Sequence, residues 1–172
     1  MELLREAFPK ANRVGHLWGS ETGAAHLREI EVPARALGVQ IQPRELKGPN
    51  ELESAFRTAS KESDALIIVG SGWINDTRER IIKLAAKNRL PVMYTQLPFA
   101  LEGGLMGYAA DEIEMWQRAA ISVDKVLKGT RPADIPIEQP TKFEFIVNLK
   151  AAKEIGLTIP QRVLLKADRV VK

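Results

Sequence analysis

Residues 123–168 of this chain read VDKVLKGTRPADIPIEQPTKFEFIVNLKAAKEIGLTIPQRVLLKAD. A helical pattern ends at Gly129, where a glycine is typical of a helix C-terminus. The next residues are predicted to form a stiff, extended connector, because Pro132, Pro136 and Pro140 restrict its backbone. An apolar strand at residues 143–147 and a turn of helix ending at Gly156 follow. This order predicts a helix, a stiff connector, a short strand and a further turn of helix in succession.

Upstream of this stretch, strand and helix patterns alternate. The run at residues 65–69 is continuously apolar, as expected for a strand that is buried on both faces of a parallel sheet. Further strands are predicted at 13–18, 39–45, 92–95 and just before Asp111, with helices at 21–37, 77–88 and 111–128. A further helix is predicted to open at Asn50 and to carry Leu52, Ala55, Phe56 and Ala59 inward. Such alternation predicts an α/β fold with a parallel sheet flanked by helices on both faces.

Local signals refine the helix boundaries. Pro33 lies within the 21–37 pattern and is expected to kink or break that helix. Asn50 and Asp111 are expected to cap the helices that follow them, because both side chains accept hydrogen bonds from free backbone N–H groups. The helix after Asp111 is expected to bury one apolar face, formed by Ile113, Trp116, Ala120, Val123 and Leu127.

Composition restricts the class of protein. The chain has 172 residues, 45% hydrophobic and 27% charged, which suits one globular domain with a sizeable core. Its net charge of +3 is spread over interspersed basic and acidic residues, so we expect no nucleic-acid partner. It contains no cysteine, and His16 and His26 alone form no recognised metal pattern, so neither a metal site nor thiol chemistry is expected.

Several catalytic and targeting patterns are absent from the sequence. It has no Gly-x-Ser-x-Gly nucleophile elbow and no Gly-x4-Gly-Lys-Ser/Thr phosphate loop, and we find no catalytic constellation. No stretch approaches the roughly 18 to 20 apolar residues of a membrane span. Residues 1–8 form a short amphipathic helix that lacks the basic start and apolar centre of a secretory signal. We therefore expect neither enzyme activity nor a bound cofactor.

Ligands of open parallel sheets bind beyond the carboxyl ends of the strands. That rule selects four loops, at residues 19–23, 70–76, 95–99 and 102–108. In the first loop, Ser20 or Thr22 could cap the helix that follows, or could help its free N–H groups to hold an anion.

The same loop also resembles the FMN-phosphate loop of flavodoxins. On that alternative, Ser20, Thr22 and backbone amides would hold phosphate, and Trp73 would stack on the flavin ring. Flavodoxins end soon after their fifth strand and helix, however, and carry nothing like the segment from Thr130 onward. We therefore keep the FMN-binding electron carrier as the second hypothesis.

A wider resemblance rests on residues 123–168 together with the glycine-rich run GGLMGY at 103–108. These stretches resemble the C-terminal portion of periplasmic substrate-binding proteins of an ABC-transporter family, some of which are tied to aromatic amino acids. The resemblance runs through nearly all of the chain but covers only about the second half of a family member. It implies a flavodoxin-like ligand-binding lobe at residues 1–110. Residues 111–172 would then be a return helix, connector, strand and helices that pack on a first lobe.

The resemblance also implies a function and a site. Two lobes of such proteins close on a small solute and the closed form docks on a membrane permease, with no bond chemistry. One wall of the cleft is expected to be formed by Ser20, Glu21, Thr22, Ser71, Trp73, Asn75, Thr95, Gln96 and Tyr108. Ser71 stands where relatives often place an acidic residue suited to a ligand ammonium. The resemblance implies a periplasmic location, although a chain without a signal would remain in the cytoplasm if expressed as it stands.

A last expectation concerns self-association. If the helix at 111–128 and the strand at 143–147 normally pack on a first lobe, the chain alone exposes an apolar patch. That patch is expected to comprise Trp116, Val123, Phe143, Phe145 and Val147. We therefore expect a homo-oligomer, formed through these residues.

Overall fold

The computed structural model describes residues 1–22 and 25–172 and contains a seven-stranded sheet in the order β2-β1-β3-β4-β5-β6-β7. The strands are β1 Arg13–Gly19, β2 Gln40–Leu46, β3 Ala65–Ile68, β4 Val92–Tyr94, β5 Met106–Ala110, β6 Phe143–Asn148 and β7 Arg169–Val171. The first five strands are parallel, β6 runs antiparallel to β5, and β7 runs parallel to β6. The predicted α/β class is confirmed, and strands β1 to β5 follow the flavodoxin-like order.

Helices lie between the strands. They are α1 Glu2–Ala7, α2 Ala25–Ala36, α3 Leu52–Glu62, α4 Gly72–Asp76, α5 Arg78–Lys87, α6 Leu97–Leu101, α7 Glu112–Leu127, α8 Leu149–Glu154 and α9 Gln161–Leu164. The helix predicted from residue 21 is preceded by a 3-10 turn, Ser20–Thr22, and α2 itself begins at Ala25. No helix within the described ranges is long and apolar enough to cross a membrane.

Two of the predicted helix signals differ in the structure. Helix α2 continues past Pro33 to Ala36, so the proline removes one backbone hydrogen bond but does not break the helix. Asn50 does not cap α3, because it lies inside a 3-10 turn, Pro49–Glu51, that precedes the helix. Pro49 opens that turn because its φ angle is fixed near the helical value.

Each face of the sheet has its own core, because successive strand residues point to opposite faces. On one face, Val14 of β1 and Ile67 of β3 pack with residues of α1, α2, α8 and α9. On the other, Leu17 and Leu66 pack with residues of α3, α4, α5 and α6. Both faces of the parallel strands are therefore covered, which explains the continuous apolar run of β3.

The glycine pair before β5 allows a close backbone approach. A methyl group on Gly104 would lie 2.7 Å from the Phe99 carbonyl oxygen and 2.5 Å from Cε2 of Tyr94. The Tyr94 and Phe99 rings are themselves stacked at 4.6 Å and fully buried. Only glycine fits at this position without moving the end of α6.

We expect Gly104→Ala to lower the free energy of unfolding by about 1–3 kcal/mol, because the added methyl overpacks a buried site. Chemical denaturation followed by circular dichroism measures the change. Gly48→Ala is the matched control, since a methyl group there meets nothing within 4 Å and the backbone is extended. Equal stability of the Gly104 variant and wild type would contradict the predicted clash.

Helix α7 begins as predicted but does not pack as predicted. The Asp111 carboxylate accepts hydrogen bonds from the backbone N–H groups of Ile113 at 3.0 Å and Glu114 at 3.2 Å, so the predicted cap is confirmed. The helix buries none of its residues. Trp116 is 74% exposed and Leu127 is 81% exposed, so the apolar face expected to be buried is open within this chain.

The return strand also departs from expectation. Phe145 and Val147 are buried in the chain's own sheet, between β5 and β7, so their predicted exposure is wrong. Their side chains point to the face of the sheet that α1, α8 and α9 cover, so they belong to the core of that face. Phe143, at the start of β6, is exposed as predicted. A role of Phe145 in self-association is thereby excluded, and we assign the surface for a first lobe to α7 and its connector as a proposal.

The connector lies against α7. Arg118 Nη1 lies 2.8 Å from the Glu138 carboxylate, and Arg118 Nη2 lies 2.7 Å from the Glu114 carboxylate. Thr141 donates a hydrogen bond to the same Glu114 carboxylate at 2.9 Å. These contacts hold α7 and the connector together as one arm that leaves the sheet after β5 and returns at β6.

Candidate functional site

The loops that follow β1 and β3 are joined by one carboxylate at the carboxyl edge of the sheet. Glu21 accepts a hydrogen bond from the Ser71 hydroxyl at 3.0 Å and another from the Trp73 indole Nε1–H at 3.0 Å. We call these three residues the Glu21 bridge. They lie about 50 positions apart in sequence, so the bridge forms only because parallel strands end at the same edge.

Glycines on either side let the carboxylate approach the backbone. A methyl group on Gly19 would lie 2.5 Å from the Glu21 carboxylate, and one on Gly72 would lie 2.9 Å from it. Both positions therefore have to stay small for the Glu21 bridge to form. The absence of a side chain at Gly19 and Gly72 therefore leaves room for the Glu21 carboxylate.

The loop after β4 joins the same region. The Gly70 backbone N–H donates a hydrogen bond to the Thr95 hydroxyl at 3.0 Å. A methyl group on Gly70 would lie 2.7 Å from Asn75 Oδ1 and would also collide with the Gln96 side chain. Eight of the nine predicted wall residues, all except Tyr108, are therefore linked by contacts through residues 70–72 or lie next in sequence to a residue so linked.

Residues 72–76 were predicted to be part of a loop, but the structure shows a short helix. They form α4, and Trp73 in its first turn packs partly against the core beneath. The Trp73 ring is partly buried and packs against the core cluster on this face of the sheet. Ser71 precedes α4 without a side-chain capping bond, and its hydroxyl donates to Glu21.

Two polar atoms of the predicted wall have no partner. Thr22 Oγ1 and Asn75 Oδ1 are inaccessible to solvent and make no hydrogen bond within the described part of the chain. Buried polar atoms are normally paired, so each is a candidate for a contact that this structure does not contain. Gly23, which the sequence placed in the first turn of the following helix, lies outside the described residues.

Tyr108 lies apart from the Glu21 bridge. It is half exposed in β5, and its ring stacks on Phe143 at 5.4 Å with the two planes 7° apart. The register places it beside β6, at the base of the arm formed by α7 and the connector. Of the nine predicted residues, Tyr108 is thus the one that the structure ties to the return segment.

A cluster of aromatic rings lies on the face of β1 to which His16 and Trp18 point, and the sequence predicted it only in part. The rings of His16, Trp18 and His26 lie with centroids 4.8–5.6 Å apart, and we call them the His–Trp cluster. His16 is packed in the sheet, as predicted, whereas His26 is half-buried beside it and not exposed. Alternation along β1 gives His16 and Trp18 one face, and this was the available sequence signal.

The His–Trp cluster is apolar in its surroundings. Neither His16 ring nitrogen nor Trp18 Nε1 has a hydrogen-bond partner among the described residues. Burial, and to a lesser degree the neighbouring His26, lowers the pKa of His16 to about 4. Burial also lowers the pKa of His26. No group of three or more histidines and carboxylates placed to hold a metal occurs within residues 1–22 and 25–172.

Comparison with known proteins places this geometry in a family. A family model described as ABC transporter substrate binding protein matches residues 1–171. A tyrosine-binding protein of Clostridioides difficile is 20% identical over the whole chain, which covers 51% of that protein. The chain therefore spans about half the length of the curated relatives it matches.

Solved structures agree on the fold. An ABC domain of Streptococcus pneumoniae in complex with L-Trp has a TM-score of 0.89 at 23% identity, over 99% of this chain and 60% of its own. A conserved domain protein of Vibrio cholerae has the same TM-score at 21% identity, over 98% of this chain and 58% of its own. The match to the family model extends over essentially the whole sequence, and this chain belongs to the family of ABC transporter substrate-binding proteins.

Proposed function

We propose that this chain is the ligand-binding lobe of a solute-binding protein that serves an ABC-type importer. It binds a small polar molecule and catalyses no reaction. The observation that carries the proposal is the Glu21 bridge, which joins two loops at the edge of the sheet where ligands of such folds bind. Membership of the family favours this function over the FMN-binding electron carrier.

The proposed wall combines groups of different chemistry. Glu21 supplies a carboxylate, Ser71 and Thr95 supply hydroxyl groups, and Asn75 supplies an amide whose oxygen has no hydrogen-bond partner among residues 1–22 and 25–172. Such a mixture orients a polar solute by hydrogen bonds and needs no nucleophile or general base. Ser20, Thr22, Trp73, Gln96 and Tyr108 complete the proposed wall.

Binding in this proposal works by closure. A second lobe would cover the wall, and the solute would stabilise the closed form over the open one by its extra contacts. The closed form would then dock on the permease, which puts the site of action on the outer side of the cytoplasmic membrane or in the periplasm. One wall alone excludes little water, so the 172-residue chain is expected to bind weakly.

The arm offers a second proposed contact. The residues Ile113, Trp116, Ala120, Val123 and Leu127 repeat at alternating steps of three and four, and we call them the α7 stripe. That spacing puts all five on one side of the helix, and it is the spacing of helices that pair with one another. We propose that the chain expressed alone forms a homodimer through this stripe, beside the exposed Phe143.

Amino-acid titration tests the solute-binding proposal. The relatives bind tyrosine or L-Trp, so L-tyrosine and L-tryptophan are the first probes, with glucose as the comparison. We expect an amino acid near ten times its Kd to stabilise the fold by about 1.4 kcal/mol, which raises the melting temperature. Ser71→Ala, which removes a donor of the wall, should reduce the shift, whereas Ser122→Ala on α7 should leave it unchanged.

Two outcomes would contradict this function. One is the absence of any stabilisation by polar solutes at about 10 mM, well above a millimolar Kd. The other is a yellow protein that retains flavin absorbance through gel filtration, which would establish the electron-carrier alternative instead.

A further inference from the structure

Buried polar atoms without a hydrogen bond concentrate around the His–Trp cluster. They are His16 Nδ1 and Nε2, Trp18 Nε1, Thr22 Oγ1 and His26 Nε2, each inaccessible to solvent and without a partner among residues 1–22 and 25–172. Buried polar groups are normally paired, because an unpaired one costs free energy. The three rings are therefore held by packing against one another and not by hydrogen bonds of these atoms.

The His–Trp cluster and the Glu21 bridge meet in one turn of chain. Trp18 lies one residue before the end of β1, and the 3-10 turn Ser20–Thr22 follows that strand directly. Glu21, at the centre of this turn, accepts the hydrogen bonds of the bridge, whereas Thr22 carries one of the unpaired atoms. A shift of this turn would therefore affect the cluster and the bridge together.

The strands beside His16 supply neighbours that do not titrate. In register, His16 lies between Pro43 of β2 and Ile67 of β3. Ile67 belongs to the apolar core of this face of the sheet. A neutral imidazole is compatible with such surroundings, whereas a charged one is not.

Two carboxylates approach the cluster from neighbouring elements. Glu45 of β2 lies beside Trp18 in register, and Glu29 lies one helical turn after His26 in α2. Both are exposed, and neither accepts a hydrogen bond from His16, whose ring nitrogens have no partner in the described part of the chain. Glu29 raises the pKa of His26, but burial of that ring lowers it by more.

A proton on His16 would change this balance. The imidazolium carries a charge and two N–H donors, which need acceptors or water. Strand β1 cannot move readily to admit water, because it is paired with β2 on one edge and with β3 on the other. The turn Ser20–Thr22 lies beyond Gly19, the last paired residue of β1, and its first two residues are exposed. Movement of the turn is therefore the less costly way to solvate the charge.

We propose that protonation of His16 displaces the turn Ser20–Thr22 and breaks the Glu21 bridge. The proposed solute wall is then intact at neutral pH and lost in acid, which makes the lobe a pH-sensitive switch. The displacement itself requires no solute. Only its consequence for binding rests on the proposed solute-binding function.

The direction of the response follows from burial. Burial lowers the pKa of His16 to about 4, whereas an imidazole in contact with water has a pKa near 6.5. The displaced form therefore binds the proton more tightly, and acidification shifts the population toward it. At about pH 5 these two pKa values change the ratio of the forms by about thirtyfold.

The three tryptophans report on three separate parts of the chain. Trp18 lies in the cluster, Trp73 donates to Glu21, and Trp116 is exposed on α7. A proton–nitrogen NMR spectrum shows one indole signal for each, and Trp73→Phe and Trp116→Phe assign them. On acidification from about pH 7.5, we expect the Trp18 and Trp73 signals to change with one midpoint between about 4 and 6.5, while the Trp116 signal stays constant.

Two variants test the group that titrates. His16→Leu fills a similar space and cannot bind a proton, so the Trp73 signal should lose this midpoint. His26→Gln is the matched control in the same cluster and should keep it, because His26 is less buried than His16. A midpoint in Trp73 that survives His16→Leu would overturn the proposal.

The wild-type titration decides the matter even if a variant does not fold. A change of Trp73 without Trp18 would show that the bridge responds to acid independently of the cluster, and a change of Trp18 without Trp73 would show that the two are uncoupled. A change of all three signals at one midpoint would indicate unfolding of the whole lobe. Each of these results overturns the proposed switch.

Titration with L-tryptophan at about pH 7 and about pH 5 separates the switch from the solute-binding function. We expect the apparent Kd to rise between about threefold and about thirtyfold in acid, as the displaced form becomes populated. If the Trp18 and Trp73 signals change together but L-tryptophan binds at neither pH, the switch stands and the solute-binding function fails. If L-tryptophan binds equally at both pH values, the function stands and the inferred control by pH is overturned.

Discussion

Lowering the pH from about 7 to about 5 is expected to reduce the free energy of unfolding by about 2 kcal/mol through His16 alone. The unfolded chain binds a proton at this residue near pH 6.5, its ordinary pKa. The folded chain does not, because burial depresses the pKa of His16 to about 4. Stability from this group is therefore complete above the unfolded pKa and is lost as the pH falls toward the folded one.

The pH window in which stability is lost distinguishes His16 from the carboxylates, because the direction of the change is the same for both. Hydrogen bonds to Arg13 lower the pKa of Asp64, and those to Lys142 lower the pKa of Asp111. Such groups also lose stability on acidification, but their loss occurs near and below their unfolded pKa values of about 4. Measurements confined to the range between about pH 7 and about pH 5 therefore report mainly on histidine.

Urea unfolding at several pH values measures the slope, and His16→Leu supplies the comparison. Leucine fills a similar space in the buried strand and cannot titrate, so the slope of stability against pH should flatten even if absolute stability changes. His26→Gln is the second comparison and should retain most of the slope, since His26 is less buried. A slope unchanged in His16→Leu would refute the assignment.

Elements with a clear local signal were predictable from the sequence. The run of β3 is apolar because both faces of its sheet are covered, and the Asp111 cap depends on atoms two and three residues away. Helix α4 gave no such signal, because Gly72 and Asn75 are poor helix formers and the segment is short. This turn of helix forms where Trp73 packs onto the core, although its residues have a low helix propensity.

Contacts between distant residues could not be predicted. The sequence indicates that Glu21 and Ser71 each follow a strand, but no local pattern shows that a carboxylate of one loop reaches a hydroxyl of the next. The same holds for β6, whose apolar residues indicate burial without indicating the surface that buries them. Phe145 and Val147 were assigned to a first lobe, whereas α1, α8 and α9 of this chain cover the face of the sheet to which they point.

The sequence predicted the apolar periodicity of α7. The described chain provides no surface that covers the apolar side of this helix. Spacing identifies which side of a helix is apolar, and the predicted stripe is indeed apolar throughout. Burial requires a partner surface, and α7 buries none of its residues against the described chain. The exposed stripe is therefore the feature from which a protein contact is proposed.

We expect the 172-residue chain, expressed alone, to form a dimer at about 100 μM and Trp116→Glu to weaken that dimer about a hundredfold. Trp116 is 74% exposed and has the largest side chain of the α7 stripe, so it would supply the largest share of the buried area. A carboxylate at this position would be buried without a partner in the dimer, which costs more than the loss of the ring alone. Light scattering after size exclusion, at several concentrations, measures the mass.

Leu165→Glu is the matched control for self-association. Leu165 is 77% exposed after α9, so the same change from an apolar to an acidic residue is made away from the α7 stripe. The dimer should persist in this variant. If wild type stays monomeric at that concentration, or if both variants dissociate equally, the α7 stripe is not the surface of association. A dimer lost only in Trp116→Glu would assign the contact to α7, the surface proposed to meet a first lobe.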